Sequence, residues 1–186
     1  LDLAVRPCCK ALDREGARIV FGRMEQPIPT LEPVDDPSAL LAALGVSGSA
    51  LPVERYDNGV VHLLVTLETE AEVAALKPDL RALAEAAGVA GVSCFAASGT
   101  HVKTRMFAPE LGVGEDPATG SAAGPLAVHL ARHGRIAWGE EIEIAQGAEI
   151  GRPSTLFALA EGTPENITRV AVGGSARVVA RGEFTL

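Results

Sequence analysis

The strongest constraint on the fold is one helical segment, at about residues 121–133, that lies among many short segments rich in Val and Ile. Leu126 and Leu130 lie on one face of this helix, and Gly134 follows as a stop signal. The short apolar segments predict strands at residues 18–24, 60–67, 92–96, 102–107, 141–145, 155–160, 167–172 and 176–179, with further helices at 38–44 and 78–87. Because strands outnumber helices and do not alternate with them, we expect an α+β fold, with a curved mixed or antiparallel sheet wrapped around that central helix.

The composition excludes several classes of protein. The 186 residues are 47% hydrophobic and 22% charged, which is typical of a globular protein with a proper core. Lys and Arg number 16 against 24 Asp and Glu, without a basic stripe, so no nucleic-acid partner is expected. No stretch approaches the roughly 18 apolar residues of a membrane span, so no membrane partner is expected either. The three cysteines form no C-x-x-C motif, which favours a reduced, cytoplasmic setting.

The segment with the most chemistry is RMFAPELGVGEDPATGSAAGPLAVHLARHG, residues 105–134. A glycine-dense loop and an acidic pair lead into the helix, whose small first residues let a ligand approach the backbone closely. The first N–H groups of a helix have no internal partner and lie at the positive end of its dipole. We therefore expect Thr119, Gly120, Ser121 and Ala122 to bind an anion. Pro125 is expected within the first turn, where its missing N–H costs least.

The expected anion is a carboxylate, not a nucleotide phosphate. Residues 112–117 begin like the G-x-G-x-x-G fingerprint, but Pro117 stands at the third glycine and two acidic residues would repel a pyrophosphate. The Walker pattern is absent as well, because no Lys follows Gly120. A carboxylate needs only a few N–H donors.

Asp116 has two interpretations. Asp commonly caps helices, so the residue can be purely structural. It can also be an acid or base beside the bound anion. In that role the helix dipole lowers its pKa, whereas a substrate carboxylate and partial desolvation raise it.

Several motifs together resemble the phenazine-biosynthesis isomerase (PhzF-like) family. They are EDPATGSA at residues 115–122, YDNG at 56–59, LKPDL at 76–80, QGAEIGRPS at 146–154 and VAVGGSARVV at 170–179. The resemblance implies a fold similar to that of diaminopimelate epimerase, with two pseudo-symmetric lobes and the active site between them. Each lobe would be a sheet rolled around a central helix. The helix at about residues 121–133 would then be the central helix of the second lobe.

The resemblance also implies a first lobe that this sequence does not show. Family members have roughly another hundred residues before the strand at 18–24, including a glutamate general base. The expected organisation is residues 1–30 as remnant strands of the missing lobe, 31–176 as the second lobe, and 177–186 as a final strand that returns to the first. Without the glutamate, the 186-residue chain alone is expected to be inactive.

The implied activity is that of a cofactor-independent isomerase or epimerase, which removes and returns a proton on a small carboxylate-bearing metabolite. Asp116 would be the catalytic acid or would orient the substrate. The implied substrate-binding residues are Thr119, Gly120, Ser121, Asn58 and Gly59. No cofactor is expected, and the implied protein partners are the missing N-terminal lobe or a second copy in a homodimer. The alternative is a non-catalytic module of the same fold that only binds a small carboxylate.

The other reactive side chains are expected to be structural. His129 and His133 have the i, i+4 spacing of a zinc helix, but no H-E-x-x-H motif is present, so no metal is expected. His62 is expected in the core, with lining of the cleft as the alternative. Arg105 can pair with Glu115 or face an anionic substrate, and the pair is the favoured interpretation.

Overall fold

The computed structural model describes residues 9–15 and 18–175. Across these residues the strands are β1 (Cys9–Glu15), β2 (Arg18–Gln26), β3 (Thr30–Pro33), β4 (Glu54–Asp57), β5 (Val61–Thr66), β6 (Gly91–Ser98), β7 (His101–Ala108), β8 (Val113–Asp116), β9 (Glu141–Gln146), β10 (Ser154–Gly162) and β11 (Ile167–Gly174). The helices are α1 (Ser38–Leu44), α2 (Glu70–Ala75), α3 (Leu80–Ala87) and α4 (Gly120–Arg132), with a 3₁₀ turn at Pro109–Leu111.

The strands form one mixed sheet in the order β1-β2-β11-β10-β9-β7-β6-β5-β4-β3, with β8 paired to β7. β5 and β6 are parallel, as are β7 and β9. Parallel neighbours need a long crossover connection. Helices α2 to α4 lie in these connections, because α2 and α3 join β5 to β6 and α4 lies between β7 and β9 along the chain. The predicted α+β class, with a sheet around a helix at about residues 121–133, is confirmed.

Apolar side chains pack on both faces of the sheet. Leu126 and Leu130 of α4 belong to one buried cluster, and helices α1 to α3 contribute to the other. The side chains of strand β5 alternate between the two clusters: Leu64 packs in the α4 cluster, whereas Leu63 and Val65 pack in the second. Successive strand residues point to opposite faces, which explains the division. The predicted strand buried on both faces is therefore confirmed.

Gly124 allows α4 to approach the sheet closely. A Cβ atom at this position would lie 2.1 Å from Oε1 of Gln26 and 2.6 Å from Cγ1 of Val170. A side chain at this position would therefore displace the side chains of Gln26 and Val170 or the helix itself. This glycine, in the middle of the small-residue stretch, serves packing.

Two helical predictions need adjustment. The segment predicted at 78–87 begins as a helix only at Leu80, because the Asp79 side chain caps it by accepting backbone N–H bonds. Helix α2 was not predicted, although Thr69 and Glu72 form a capping box that marks its start. Its 6 residues are too few to show a helical periodicity.

The hairpin turn predicted at residues 172–176 is wrong where the structure describes it. Residues 172–174 continue β11, paired with β10 on one side and β2 on the other. The strand predicted at 176–179 and the segment 177–186 lie outside the described residues. The division into 1–30, 31–176 and 177–186 stays a prediction. Among the described residues, no helix is long and apolar enough to span a membrane.

Candidate active site

The first turn of α4 is accessible on one side only. Gly120 and Ser121 are half-buried, whereas Thr119 and Ala122 are buried. Thr119 occupies the N-cap position and makes no side-chain bond to the helix. Gly120 lines a cleft of about 770 Å³ that strands β2, β10 and β11 also border. This geometry suits an anion at the free N–H groups of Gly120 and Ser121.

Asp116 ends β8 and lies before the helix without capping it. The Thr119 hydroxyl donates a hydrogen bond to its Oδ2 atom at 2.5 Å. Among the described residues, none donates a hydrogen bond to Oδ1, and the side chain is half-buried. Asp116 is therefore held by the Thr119 hydroxyl and not by a capping hydrogen bond to the helix. One carboxylate oxygen is anchored and the other is available.

Gln146 connects this carboxylate to the sheet and was given no role in the sequence interpretation. Its Nε2 atom donates to the Asp116 carbonyl at 2.6 Å and to the Thr119 hydroxyl at 2.9 Å. Its Oε1 atom accepts the Thr119 backbone N–H at 3.2 Å. The signal was present, because Gln146 opens the QGAEIGRPS motif. Thr119 is fully engaged by these bonds, so we expect it to position Asp116 and leave the ligand to Gly120 and Ser121.

Pro125 is the sixth residue of α4, beyond the first turn where it was expected, so that expectation is wrong. At this position its missing N–H leaves the Ser121 carbonyl without the usual i+4 donor. The Asn58 side chain replaces that donor, since its Nδ2 atom lies 2.9 Å from the Ser121 carbonyl oxygen. Gln26 likewise donates to the Gly120 carbonyl at 2.8 Å. Side chains from the sheet therefore hold the first turn.

We expect Asn58→Ala to lower the free energy of unfolding by about 1–3 kcal/mol, because the Ser121 carbonyl loses its donor. In a Pro125→Ala background, residue 125 regains an N–H, so the same change should cost clearly less. Urea denaturation of the four proteins measures this coupling. Additive costs would show that Asn58 does not replace the missing helix bond.

The structure places Asn58 and Gly59 differently from each other. Asn58 contacts the start of α4, as described, and its role there is to hold the helix. Gly59 lies on the exposed turn between β4 and β5, and its N–H donates to Oδ1 of Asp57 at 2.8 Å. Its φ of +103° explains why glycine stands there. A direct contact of either residue with substrate stays a prediction.

His62 lies in the core, as the favoured interpretation has it, and contacts the candidate site from the buried side without lining the cleft. It lies on β5, is fully buried, and its Nε2 atom is 3.0 Å from the Ser121 hydroxyl oxygen. Burial lowers the pKa of His62 to about 4, so the ring is neutral near pH 7.

A second polar cluster lies at the other end of α4, around the carboxylate of Glu54. Its Oε2 atom accepts from the Tyr56 hydroxyl at 2.6 Å and from Nη1 of Arg132 at 2.7 Å. Nδ1 of His129 lies 3.0 Å from the same oxygen, and Nε2 of His133 lies 3.2 Å from it. The sequence interpretation missed this cluster, because Glu54 is 75 residues from His129 in the chain.

The charges in this cluster are set by burial and hydrogen bonding. Burial raises the pKa of Glu54, but hydrogen bonds from His129, Tyr56 and His133 and the charge of Arg132 outweigh it, so the pKa lies well below its usual range. Burial also lowers the pKa of His129, despite its bond to Glu54. The pair is therefore an ionised Glu54 with a neutral His129, and Arg132 supplies the positive charge.

The ligand atoms of Glu54, His129 and His133 lie within 4.8 Å of one another, a spacing that a metal ion could use. Arg132 already places a positive charge beside the same carboxylate oxygen, which disfavours a second cation there. We therefore interpret this group as a hydrogen-bonded structural cluster.

Arg105 forms the structural pair that was favoured. Its Nε and Nη2 atoms donate to the two carboxylate oxygens of Glu115 at 2.9 and 2.6 Å. Its Nη1 atom donates to the Leu76 carbonyl at 2.7 Å, at the end of α2. The guanidinium therefore links β7, β8 and α2 and does not face the start of α4.

Comparisons with known proteins show which family the chain resembles. The profile of a family described as phenazine biosynthesis-like protein matches residues 5–182. A trans-2,3-dihydro-3-hydroxyanthranilate isomerase from Pseudomonas aeruginosa is 52% identical over 176 residues, which cover 95% of this chain and 63% of that protein. The chain therefore spans less than two thirds of the length of this curated relative.

Two solved structures share the fold. A phenazine biosynthesis protein of the PhzF family from Bacillus anthracis superposes with a TM-score of 0.74 at 18% identity, over 96% of this chain and 64% of that one. A predicted epimerase from Pseudomonas aeruginosa gives a TM-score of 0.71 at 28% identity, over 93% and 61%. The predicted fold is confirmed. The expectation that the chain lacks its base and is inactive is not supported by these matches.

Proposed function

This chain belongs to the family of phenazine biosynthesis-like proteins, and from that premise we propose that it is a cofactor-independent isomerase or epimerase of a small carboxylate. The observation that carries the proposal is the pairing of Asp116, with one free carboxylate oxygen, and the free helix N–H groups of Gly120 and Ser121. Asp116 and these N–H groups lie within a few residues of each other in the chain. A substrate whose carboxylate is bound at the N–H groups is therefore close to the acid, as proton transfer requires.

The proposed reaction moves one proton. A base removes it from a carbon beside the conjugated system of the substrate, and the resulting negative charge spreads toward the carboxylate. The N–H groups of Gly120 and Ser121 stabilise that charge, because the helix dipole is positive there. If Asp116 is the acid, it delivers a proton taken from solvent at another position, and the base releases the removed proton to solvent. If Asp116 instead orients the substrate amine or hydroxyl, the protonated base itself returns a proton to the substrate. The family resemblance implies that the base is a glutamate, which we do not assign to a position in this sequence.

The relative from Pseudomonas aeruginosa is named for trans-2,3-dihydro-3-hydroxyanthranilate. We propose a substrate of the same class, a small ring with a carboxylate, an amine and a hydroxyl group. The carboxylate suits the helix N–H groups, and the amine or hydroxyl suits the free oxygen of Asp116.

The test is to incubate the chain with trans-2,3-dihydro-3-hydroxyanthranilate in D₂O and follow the product by NMR. We expect an isomer that carries solvent deuterium at one carbon, because the removed proton exchanges before its return. The carboxamide analogue should bind far more weakly, since it has no negative charge for the helix N–H groups. Tight binding of the acid without any exchange would instead favour the non-catalytic carboxylate-binding module.

A further inference from the structure

His62 lies where it can determine what the Ser121 hydroxyl does. The ring is fully buried, and its Nε2 atom is 3.0 Å from Oγ of Ser121. Its other nitrogen, Nδ1, is buried without a hydrogen-bond partner among the described residues. A neutral imidazole carries one proton, so one of these two nitrogens is a donor and the other is an acceptor. The question is which nitrogen carries the proton.

The packing around Nδ1 indicates which nitrogen of His62 carries the proton. A Cβ atom built on Gly91 would lie 3.1 Å from Nδ1 and 2.2 Å from Cε of Met106, so this side of the ring is tightly packed against a glycine and a thioether side chain. A buried N–H without an acceptor is rarer and more costly than a bare lone pair. The packing therefore favours the tautomer with a bare Nδ1 and the proton on Nε2.

A serine–histidine pair can also work in the opposite sense. In hydrolases with a catalytic triad, a carboxylate accepts the Nδ1 proton, so that Nε2 is free to take the proton of the serine. No carboxylate faces Nδ1 of His62 among the described residues. This pair therefore lacks the group that would make Ser121 a nucleophile.

We propose that His62 is a positioning residue whose Nε2–H group donates a hydrogen bond to Oγ of Ser121. The Ser121 hydroxyl is thereby oriented so that its own proton is donated to an oxygen of the bound carboxylate. The inference rests on the proposed function, because it needs a carboxylate at the start of α4. Ser121 is half-buried on the accessible side of this turn, and its carbonyl is already held by Asn58. Because Oγ accepts the hydrogen bond from His62, the Ser121 hydroxyl acts as a donor toward the bound carboxylate. It adds one hydrogen bond to those of the backbone N–H groups.

The neutral state of the ring supports this assignment. Because burial lowers the pKa of His62 to about 4, the donor at Nε2 is present throughout the neutral range. The ring contacts Ser121 on α4 and packs beside the uncharged Gly91 and Met106. Its cross-strand partner on β4 is Tyr56, and burial raises the pKa of that hydroxyl, so it too is uncharged near neutral pH. We therefore expect the contribution of His62 to ligand binding to be constant between about pH 5.5 and 8.

The first measurement is the ¹⁵N NMR spectrum of the histidine rings, with the His62 signals identified by their loss in His62→Gln. We expect the proton on Nε2 and an unprotonated Nδ1. A proton on Nδ1 would overturn the inference, whether or not the chain binds a carboxylate.

The second measurement is the Kd of 3-hydroxyanthranilate, an aromatic probe with the same three functional groups as the proposed substrate. Ser121→Ala and His62→Leu should each weaken binding about 2- to 10-fold, and the double variant should be no weaker than Ser121→Ala alone. His62→Gln keeps an N–H donor and should stay within about 2-fold of the wild type. It also serves as the test if His62→Leu does not fold.

The outcomes separate the two proposals. Additive losses in the double variant, or a His62→Gln variant as weak as Ser121→Ala, would overturn the role of His62 while the proposed function survives. If the wild-type chain binds no carboxylate probe, the proposed function fails, and this inference fails with it.

Discussion

Asp116→Asn should lower the rate of isomerisation about 100-fold or more and leave the fold intact. The amide cannot deliver or accept the proton, and a well-placed acid or base contributes about 10²–10⁴-fold to such reactions. The amide oxygen can still accept the Thr119 hydroxyl bond that anchors Oδ2 of Asp116 at 2.5 Å. The rate is measured as incorporation of solvent deuterium, with urea denaturation as the check on folding.

A matched control is Glu110→Gln, which removes an exposed carboxylate from the preceding 3₁₀ turn. We expect its rate to equal that of the wild type. If Asp116→Asn also keeps its full rate, Asp116 has no part in the mechanism, and the carboxylate-binding turn is what remains of the proposal.

Glu54→Ala should have the largest effect on stability, a loss of about 3 kcal/mol or more in the free energy of unfolding. It removes the acceptor shared by Tyr56, His129 and Arg132, and it leaves a partly buried guanidinium without its counter-charge. Removing one partner of a buried ion pair costs about 3–5 kcal/mol.

The matched control for this change is Glu85→Ala. Glu85 pairs with Arg81 at 3.2 Å, but both side chains are exposed, at 71% and 90%. Exposed pairs contribute about 0–1 kcal/mol, so the control should lose little stability. Equal losses in the two variants, measured by urea denaturation, would contradict a structural role for the Glu54 cluster.

The Glu54 cluster and the buried His62 together predict that acid destabilises the fold. The pKa values of His129 and His62 lie below the ordinary 6.5 in the folded state, and that of Glu54 lies below the ordinary 4.5. In each case the unfolded chain binds more protons, so stability falls as the pH falls. The loss should begin below about pH 6.5 through the histidines and continue below about pH 4.5 through Glu54. Urea denaturation at several pH values tests this, and His62→Gln should show a shallower decline between pH 6.5 and 4.5.

Local features of the chain were read correctly from the sequence alone. The helix predicted at about residues 121–133 is observed at Gly120–Arg132; its start follows from the small residues there, and its end from Gly134. The strand at Val61–Thr66 follows from its continuous apolar run. These features depend on backbone propensities and on the alternation of apolar residues, which act over a few neighbouring positions.

Long-range polar contacts could not be read in this way. Asn58 was expected to line the cleft, which stays a prediction; its hydrogen bond to the Ser121 carbonyl, 63 residues away in the chain, was not foreseen. Gln146 and Gln26 reach the same turn of α4 from strands at opposite ends of the chain. The need for the Asn58 donor was not foreseen, because Pro125 was expected within the first turn of the helix, where its missing N–H costs least.

The sequence by itself determined that a helix with free N–H groups begins beside Asp116, because that depends only on residues within one turn. The tertiary structure alone decided which side chains meet that turn. His62 faces Ser121 because β5 pairs with β6 in the register that sets His62 opposite Gly91. A shift of one residue would turn His62 to the opposite face of the sheet. Register is set by the packing of the whole sheet around α4, so no local segment of the sequence contains it.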